Sequence, residues 1–534
     1  AGRAWGGSRG VSGIGRRGAR AAPYDRGVST DAVVTGPPGS AAVAAGSAGA
    51  VDAAVQVLAA GGSAVDAVLA AAFASVMTEP VLSSLGGGGF LLHAPADGEP
   101  ELLDFFVTVP GLGGAPGEPH VETVVVDFAK AGPAASTSEQ VFRGGWGTVA
   151  VPGSLAGHLD AHRRWGRLPL ADVVAAAAAL ARDGVMLSPV QQRFLLLVTE
   201  LLRLTPESRE LFSRTEIDGS YRNPAYAGLL DAIATGTITG QDDAAYAGPL
   251  VRAAQEHGGL LADEDLAAYT PELRAPAALA RNSARVWTNP APSAGGPIVL
   301  DALARVAEGQ QRTEWASVAA AQADAVEAHR RPGTVPTGTT HVTVVDADGA
   351  FAALTTSNGS QSGAVVPGWG VTLNNMLGEE DLQPGEPLPP GARMGSMMAP
   401  TLVAWPDGRR AALGTGGSER IRSAILCVLA RLVDEGDDLA SAVAAPRVHV
   451  SGDRVVHVEP GLEEHELAAI ADLVAERGWP AYDAWPTTNI YFGGVHAVQR
   501  DADGTVTAVG DARRGGAAAV VHPDGYVDRA WSEA

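Results

Sequence analysis

The sequence of 534 residues contains a single cysteine, a single lysine and only 5% aromatic residues. Cys427 has no partner, so disulfides cannot stabilise the fold, and thiolate zinc and iron–sulfur sites are excluded. The apolar run AILCVLARLV around Cys427 predicts that this thiol fills the core. Lys130 lies in a stretch without clear periodicity, and it is the one candidate for a lysine nucleophile or Schiff base.

Long hydrophobic runs are also missing. None reaches the roughly 18 residues that a membrane span needs, and the nearest, from Ala64 to Met77, carries Asp66 and predicts a buried helix. Acidic residues outnumber basic ones by 60 to 38, which gives a net charge of −22. Because such a chain repels phosphate backbones and anionic lipids, nucleic-acid and membrane partners are disfavoured. The sequence thus favours a small-molecule enzyme or a binding protein.

The first 30 residues have a composition of their own, with six arginines against one aspartate, many glycines and no apolar segment. This predicts a disordered leader rather than a secretory signal, so the expected location is the cytoplasm. A transit peptide or a misassigned start is the alternative. The length of the remaining chain allows about three domains or one large fold around a shared core.

The pattern changes near residue 338. Before it, periodicity predicts one helix that ends at Gly61-Gly62, a second helix that follows Gly62, and a third within LADVVAAAAALARDGV. A long, mostly helical stretch is predicted from about Ser188 to Val326. The segment from Arg330 to Gly338 predicts an exposed loop. After it, THVTVVDADGAFAALTTS predicts a hairpin, further strands follow, and IRSAILCVLARLVDEG and EEHELAAIADLVAERG predict helices.

Three motif matches are rejected on their context. The glycines from Gly86 to Gly89 lack the Lys-Ser/Thr of a phosphate loop, and they predict close backbone packing beside a site instead. A G-x-S-x-G match at Gly6 to Gly10 has no preceding strand. His158 and His162 share a helix face without the glutamate of a zinc motif, which predicts a solvated helix face rather than a metal site.

A chemically informative feature is the pair Thr339-Thr340, where the Pro/Gly loop meets a strand. Threonines start strands routinely, and this is the simplest interpretation of the pair alone. If the peptide bond before Thr339 is cut, however, the freed α-amine lies beside the hydroxyl of the same residue. With an ordinary pKa of about 8, that amine can act as a general base. This chemistry needs no cysteine, metal or cofactor.

From about Pro37 to Val521, the chain resembles the γ-glutamyltransferase family of N-terminal nucleophile hydrolases. The motifs that carry the resemblance are, in chain order, GGSAVDA, EPVLSSLGGGGF, VAVPGSLAG, HGGLLADEDLAAY, PAPSAGG, TTHVTVVDADG, LNN, SMMAPTLV, GTGGSERI and GGVHAV. The resemblance implies an α+β fold with stacked α-β-β-α layers. It also implies self-cleavage between Gly338 and Thr339, giving a large chain of residues 31–338 and a small chain of residues 339–534 held together as one intertwined fold.

The resemblance also assigns expected roles to single residues. Thr339 matches the nucleophile, and Gly416 and Gly417 match the pair whose N–H groups form the oxyanion hole. Ser357 falls where the family has a second hydroxyl that bonds the nucleophile, on the same strand as Thr355. Asn358 lies near a substrate-binding asparagine of the family, whereas Asn374 and Asn375 match its structural LNN.

The departures from the family pattern concern the substrate. Phe106 stands where the family has the arginine that pairs with the α-carboxylate of the glutamyl group. Glu379 aligns with the acidic residue that receives the α-ammonium group, and of two carboxylate-binding serines only Ser396 is present, because Gly395 replaces the other. Arg393 is the candidate replacement for the missing guanidinium, and glutathione is a disfavoured substrate. The chain also lacks a long stretch that most members carry before the nucleophile.

Three hypotheses follow for the function. The first is hydrolysis or transfer of a γ-glutamyl or related acyl group through an acyl-enzyme. The second is hydrolysis of a different acyl amide, or of a C–C bond next to a carbonyl, on the same machinery, and the missing arginine favours this class. The third, a descendant without activity, is opposed by the retained Thr339, Ser357, Gly416 and Gly417. The expected partners are a small-molecule substrate and the two processed chains with each other.

Overall fold

The computed structural model describes residues 31–114, 117–127, 139–306, 314–329, 338–379, 382 and 387–532. The predicted leader, the G-x-S-x-G match, Lys130 and residues 330–337 of the predicted loop lie outside the described residues.

The described residues form strands on both sides of Gly338. The strands are β1 Ala32–Gly36, β2 Ala41–Ala45, β3 Gly88–Ala94, β4 Glu101–Phe105, β5 Glu122–Asp127, β6 Glu139–Gly144, β7 Val185–Met186, β8 Ser220–Tyr221, β9 Glu272–Arg274, β10 Ala277–Arg281, β11 Ala284–Thr288, β12 Gly338–Val345, β13 Phe351–Gly359, β14 Val365–Val366, β15 Val371–Thr372, β16 Thr401–Ala404, β17 Arg410–Gly414, β18 Val448–Val450, β19 Val456–Val458, β20 Tyr482–Ala484, β21 His496–Arg500, β22 Val506–Gly510, β23 Ala517–Val521 and β24 Val527–Trp531.

Most helices precede β12. The α-helices are α1 Ala48–Ala59, α2 Ala64–Thr78, α3 Ser154–Trp165, α4 Leu170–Asp183, α5 Pro189–Leu202, α6 Pro206–Phe212, α7 Thr215–Asp218, α8 Pro224–Ala234, α9 Ala244–Glu256, α10 Asp263–Ala268, α11 Gly295–Arg305, α12 Trp315–Ala328, α13 Arg420–Leu429, α14 Leu439–Ala444 and α15 Glu464–Arg477. A π-helical segment, Ala430–Glu435, continues α13, and a 3₁₀ turn spans Ala512–Arg514.

Two sheets lie face to face between helices. One has the strand order β1-β22-β21-β17-β16-β11-β10, and the other has the order β24-β23-β2-β12-β13-β3-β4-β9. Helices α1, α2 and α3 pack on the eight-stranded sheet, α11, α13 and α14 pack on the seven-stranded sheet, and β12 contacts β17 and β21 between the sheets. This confirms the predicted α+β class with α-β-β-α layers.

The helix α2 shows how the sequence builds the outer layer. Ser63 caps its first turn, and the carboxylate of Asp66 accepts the Ser63 N–H at 2.9 Å, so the two residues form a capping box. Nearly every α2 side chain is buried, and small alanines let the helix approach both the sheet and its neighbours α1 and α4. Asp66 inside the apolar run therefore completes the cap that Ser63 begins, and the run itself is the predicted buried helix.

The predicted hairpin is confirmed, and it joins the two halves of the chain. Strands β12 and β13 pair in antiparallel register, with a turn at Asp346 that its carboxylate closes by accepting the N–H groups of Asp348 and Ala350 at 3.1 and 2.9 Å. Both large sheets contain strands from before and after the Gly338–Thr339 bond. Cutting that bond would consequently leave two chains that share both sheets.

The predicted, mostly helical stretch from Ser188 to Val326 contains helices α5 to α12, but it also contains short strands that the sequence pattern did not predict. Strands β9 to β11 lie within it, and β10 and β11 form a hairpin at the edge of the seven-stranded sheet. Its turn residues Asn282 and Ser283 have φ of 45° and 63°, a conformation that favours asparagine and glycine over most residues. The alanine-rich strand ALAR resembles a helix in composition, which explains the error. Among the described residues, no helix is long and apolar enough to cross a membrane.

Candidate active site

The hairpin brings Thr339 and Ser357 together. The two residues face each other in the register of β12 and β13, and an irregularity in that register lies between Gly338 and Thr339. The hydroxyl of Thr339 donates to the hydroxyl oxygen of Ser357 at 3.3 Å, and Ser357 donates to the carbonyl oxygen of Gly338 at 2.5 Å. Thr339 is buried, with 1% of its surface exposed. The site therefore places two hydroxyl groups at the peptide bond that the resemblance marks for cleavage.

Gly416 lies against the backbone of Thr339, in the loop between β17 and α13, and Gly417 follows it beside the guanidinium of Arg514. A Cβ on Gly416 would stand 2.0 Å from the carbonyl oxygen of Thr339, which no side chain could tolerate. Gly417 has φ of 135°, a conformation that other residues rarely adopt. Glycine is thus required at position 416 by the close approach of the Thr339 carbonyl, and at position 417 by the backbone conformation.

The glycine run from Gly86 to Gly89, which leads into β3, has the packing role that the sequence predicts. A Cβ on Gly87 would lie 2.1 Å from the carbonyl oxygen of Ser357, and a Cβ on Gly89 would lie 2.4 Å from that of Thr355. Gly86 approaches the Thr372 carbonyl in the same way, at 2.2 Å. This close packing holds the strand that carries Ser357, and it confirms the structural interpretation of the glycine run.

A cavity with about 280 Å³ of empty volume opens beside the two hydroxyls. We call it the first cavity; it is lined by Phe106, Thr339, Ser357, Met376, Glu379, Leu382, Ser396, Met397, Met398, Ser418 and Ile421. Among these residues Glu379 is the one with a charged side chain, and six are apolar. Five residues predicted for the site, from four separate segments, meet in this cavity. Sequence patterns do not predict that methionine and isoleucine side chains form its wall.

Phe106 is fixed by stacking and by its own backbone. Its ring stacks on Phe90 with a centroid distance of 5.7 Å. The guanidinium of Arg393 donates to the Phe106 carbonyl oxygen, and also to the Tyr269 hydroxyl at 2.7 Å and the Thr270 carbonyl at 2.6 Å. Arg393 does not line the first cavity. The hypothesis that Arg393 replaces the missing guanidinium is therefore wrong, because these contacts hold it on the far side of Phe106.

The remaining predicted substrate residues have separate surroundings. The Glu379 carboxylate accepts the N–H of Ser360 at 3.2 Å, and the Ser396 hydroxyl accepts the N–H of Met398 at 3.1 Å. Asn358 does not line the first cavity; its side-chain amide donates to the Thr372 hydroxyl at 3.3 Å. The structure thus places Glu379 and Ser396 at the cavity and Asn358 behind its wall.

A second cavity, of about 230 Å³, lies on the other side of Thr339. It is lined by Gly46, Glu79, Leu82, Gln191, Phe194, Thr339, Thr340, His341, Gly416, His496 and Arg514. Burial raises the pKa of Glu79, whose carboxylate accepts the Thr340 hydroxyl at 2.7 Å. Burial, and then repulsion from Arg420, lowers the pKa of Arg514 to about 9. Sequence reasoning missed this cavity, because Glu79 opens the motif EPVLSSLGGGGF without a role of its own and Arg514 lies outside the motifs.

The histidines near the site are neutral core residues. His341 contacts the Thr355 hydroxyl at 2.8 Å and the Thr343 hydroxyl at 2.5 Å, and burial lowers its pKa well below the ordinary value. Burial also lowers the pKa of His496 to about 4. Neither histidine is bonded to Thr339, so a histidine base for this hydroxyl has no support in the described structure.

The prediction of a solvated face for His158 and His162 is wrong for His158. Its ring is buried edge-on between Phe73 and Phe105, with centroid distances of 5.2 and 5.5 Å, and burial lowers its pKa to about 3. His162 is partly exposed and contacts the Leu168 carbonyl at 2.8 Å. Within the described part of the chain, no group of three or more His, Cys, Asp or Glu side chains could hold a metal ion. Cys427 is buried as predicted, and burial raises its pKa to about 11.

Comparison with known proteins gives consistent results. Residues 50–331 and 309–521 match the sequence model of the family described as gamma-glutamyltranspeptidase. The acylase ACY 1 proenzyme of Pseudomonas sp. (strain SE83) is 30% identical over 516 residues, which cover 85% of this chain and 88% of that protein. The glutathione hydrolase proenzyme of Pseudomonas aeruginosa is 28% identical over 544 residues, covering 88% and 92%. The crystal structure of cephalosporin acylase from Bacillus halodurans has the same fold, with a TM-score of 0.74 at 22% identity over 94% of this chain and 97% of that one.

Proposed function

The chain is an enzyme of the γ-glutamyltranspeptidase family, and on that basis we propose that Thr339 is its nucleophile, released by self-cleavage of the Gly338–Thr339 bond. The products are a large chain ending at Gly338 and a small chain of residues 339–534. Two relatives are proenzymes by name, which agrees with processing. Because both large sheets take strands from each product, the two chains stay together as one fold.

Self-cleavage uses the two hydroxyls that meet at the scissile bond. The Thr339 oxygen attacks the carbonyl carbon of Gly338, the C–N bond breaks, and an ester joins the two residues. The proton of the attacking hydroxyl passes to the Thr339 nitrogen, which leaves as the amine. Water then hydrolyses the ester, which frees the hydroxyl and the α-amine. Ser357 donates to the Gly338 carbonyl oxygen at 2.5 Å, so it supports the negative charge that develops there during the attack.

Turnover repeats this chemistry on a substrate in the first cavity. The Thr339 hydroxyl attacks the substrate carbonyl carbon while the α-amine accepts its proton, and the proton then passes to the departing amine. The N–H groups of Gly416 and Gly417, in the loop beside Thr339, are the donors for the oxyanion. Water or an acceptor amine finally attacks the acyl-threonine ester, which gives hydrolysis or transfer.

The charge of the first cavity indicates which acyl group it accepts. Its described wall contains one charged side chain, the carboxylate of Glu379, and Phe106 fills the place of the expected arginine. A substrate carboxylate buried there would lack a cationic partner, and an unpaired buried charge costs about 3–5 kcal/mol. Six apolar side chains favour an aliphatic or aromatic acyl chain instead. The enzyme is thus proposed to prefer neutral acyl amides. The observation that carries this proposal is that the described wall of the first cavity contains no cationic side chain.

Transfer of a γ-glutamyl group is the second candidate, and Glu379 is the observation that favours it. This carboxylate is positioned to receive an α-ammonium group, and a relative is named glutathione hydrolase. The two candidates differ in how the α-carboxylate of the substrate is tolerated. The choice between them therefore depends on a comparison of acyl groups with and without that charge.

Two matched anilides separate the candidates. Pentanoyl-p-nitroanilide and glutaryl-p-nitroanilide have five-carbon acyl chains that differ by one terminal carboxylate, and γ-glutamyl-p-nitroanilide adds the ammonium group. On the processed enzyme, kcat/KM for the pentanoyl compound should exceed that for the glutaryl compound by about 10²-fold or more, given the cost of an unpaired charge. Faster turnover of the γ-glutamyl or glutaryl compound would refute the neutral-acyl proposal.

A variant pair at the cavity wall provides the control. Phe106→Arg restores a cation and should narrow or reverse the preference for the pentanoyl compound. Phe106→Leu removes the ring without adding charge, so it should keep the preference of the wild type. If both variants gave the same ratio, the charge at position 106 would not determine the selectivity.

A further inference from the structure

Arg514 is one of two charged residues of the second cavity, with Glu79, to which the proposed chemistry gives no role. It lies in the 3₁₀ turn between β22 and β23, and its guanidinium is buried. One of its terminal nitrogens donates to the carbonyl oxygen of Thr339 at 3.4 Å, and its carbon lies 5.3 Å from the centre of the Phe194 ring. Arg514 thus reaches the nucleophile from the side opposite the first cavity.

The charge of Arg514 is poorly compensated. Among the described residues, no carboxylate lies within 4.0 Å of its nitrogens, and its Nε is buried without a hydrogen-bond partner. The other arginines of this region differ: Arg447 and Arg513 each form a close ion pair with Asp511 or Glu459. A buried cation without a close counter-ion is costly, so its retention beside Thr339 needs an explanation.

The strand geometry places the α-amine of Thr339 on the same side as Arg514. In an antiparallel strand, the N–H and C=O of one residue point to the same neighbour. The Ser357 carbonyl faces Gly87, away from β12, so Thr339 and Ser357 do not exchange backbone hydrogen bonds. The Thr339 carbonyl accordingly faces away from β13, where Arg514 meets it. After cleavage, the new amine projects to this side as well.

We propose that Arg514 keeps the α-amine of Thr339 in its neutral, proton-accepting form, through the repulsion between the guanidinium and the protonated amine. The inference rests on the proposed function, because it requires the amine that self-cleavage creates. Arg514 contacts no reacting atom of the substrate and acts through Thr339, so it is a positioning residue. Its charge gives the enzyme a base that is ready at neutral pH.

Several other charged or titratable groups lie near Thr339 and Arg514. Glu79 faces the second cavity and opposes the effect of Arg514, although Thr340 and Ser75 both hold its carboxylate. His341 and His496 also line the cavity, but burial keeps both neutral in the relevant pH range. Arg420 on α13, Asp511 just before the 3₁₀ turn and Arg447 act on Arg514. Glu379 faces Thr339 across the first cavity.

The expected size of the effect follows from Coulomb's law. The guanidinium and the amine are separated by roughly 6 Å, since both lie beside the Thr339 carbonyl. At an effective dielectric constant of about 20, a unit charge at that distance lowers the pKa of the amine by about 2 units, and the opposing charge of Glu79 reduces this shift to about 1–2 units. The amine should consequently titrate near pH 6–7 rather than at its ordinary value of about 8.

The pH dependence of kcat/KM on the processed enzyme tests this, because its acid limb reports the base of the free enzyme. Arg514→Met removes the charge, so the limb should move about 1–2 units to higher pH. Arg514→Lys keeps a positive charge and should keep the limb within a few tenths of a unit. The matched control is Arg529→Met, which removes an exposed arginine paired with Asp52 and should not move the limb.

A direct titration works even if a variant fails to process. Cyanate carbamylates neutral amines, so its rate on the Thr339 amine of the wild-type enzyme, read by mass spectrometry of the N-terminal peptide, gives the pKa of that amine. A value of about 8 or above in processed, active wild-type enzyme would overturn the inference and leave the proposed function intact. An unshifted acid limb in Arg514→Met, with kcat lowered equally at all pH values, would also overturn it.

Glu79→Gln identifies the titrating group. The inference expects this variant to keep an acid limb, because the amine remains the base. Loss of the limb in Glu79→Gln would show that Glu79 is the titrating group, which would contradict the inference. If the wild-type protein showed neither processing nor activity, the proposed function itself would fail. That outcome is distinguishable from those that overturn only the role of Arg514, because they all require a processed, active wild-type enzyme.

Discussion

A single methyl group at position 416 should disable the site while leaving the fold in place. A Cβ on Gly416 would stand 2.0 Å from the Thr339 carbonyl oxygen, and real Cβ atoms essentially never come within 3.0 Å of another heavy atom. The loop or Thr339 must then move by at least about 1 Å. A displacement of this size at a reacting group costs about 10²-fold in rate, or about 2.7 kcal/mol of transition-state stabilisation.

The assay is steady-state turnover of the preferred anilide by Gly416→Ala after complete processing. We expect kcat to fall about 10²-fold with KM changed little, because the Gly416 N–H is the proposed donor to an oxyanion that develops only during the reaction. The control is Gly228→Ala, at a helical position of α8 where a Cβ meets nothing within 4 Å. That variant should keep full activity. A Gly416→Ala enzyme with wild-type kcat would refute the placement of this loop at the nucleophile.

Two further predictions concern processing and stability. Ser357→Ala removes the donor to the Gly338 carbonyl, so self-cleavage should slow by about 10²–10³-fold in a time course on denaturing gels. Ser357→Thr keeps a hydroxyl and should still cleave. Equal cleavage rates in the alanine variant and the wild type would contradict the role of Ser357. In the wild-type protein the buried guanidinium of Arg447 lies 2.5 Å from the Asp511 carboxylate. Asp511→Asn removes this charged partner, so it should lower the free energy of unfolding by about 3–5 kcal/mol in denaturant titrations. The exposed pair of Asp52 and Arg529 should matter less, so Asp52→Asn should cost less than about 1 kcal/mol; similar losses in both variants would contradict the burial argument.

The parts of the site that the sequence predicts lie within short, patterned segments. Thr339 and Ser357 meet because a hairpin with an Asp-Gly turn sets their register, and both the turn and the alternation are visible in the sequence. Phe106, Glu379 and Ser396 reach the same cavity from distant segments, and only the family resemblance placed them there. Hydrophobic periodicity likewise predicts α2, α4 and α15, since their patterns are long and regular.

The parts that the sequence missed depend on contacts between distant segments. Arg514 follows another arginine in a short turn before two glycines, and nothing in that pattern distinguishes a buried cation from a solvated one. Arg393 was a candidate for the cavity because the sequence cannot show that Tyr269 and the Phe106 carbonyl hold it elsewhere. His158 was expected on a solvated face, although Phe73 and Phe105 enclose it. In each case tertiary packing decides the environment of the side chain.

Thr339→Ala tests the central claim most directly, since it removes the proposed nucleophile and leaves the backbone at the scissile bond unchanged. On a denaturing gel, the wild-type protein should separate into a large and a small chain, and Thr339→Ser should do the same because it retains a hydroxyl. The Thr339→Ala protein should run as one chain of 54.2 kDa. If Thr339→Ala still gave two fragments cut at Gly338, the assignment of Thr339 as the nucleophile of self-cleavage would be wrong.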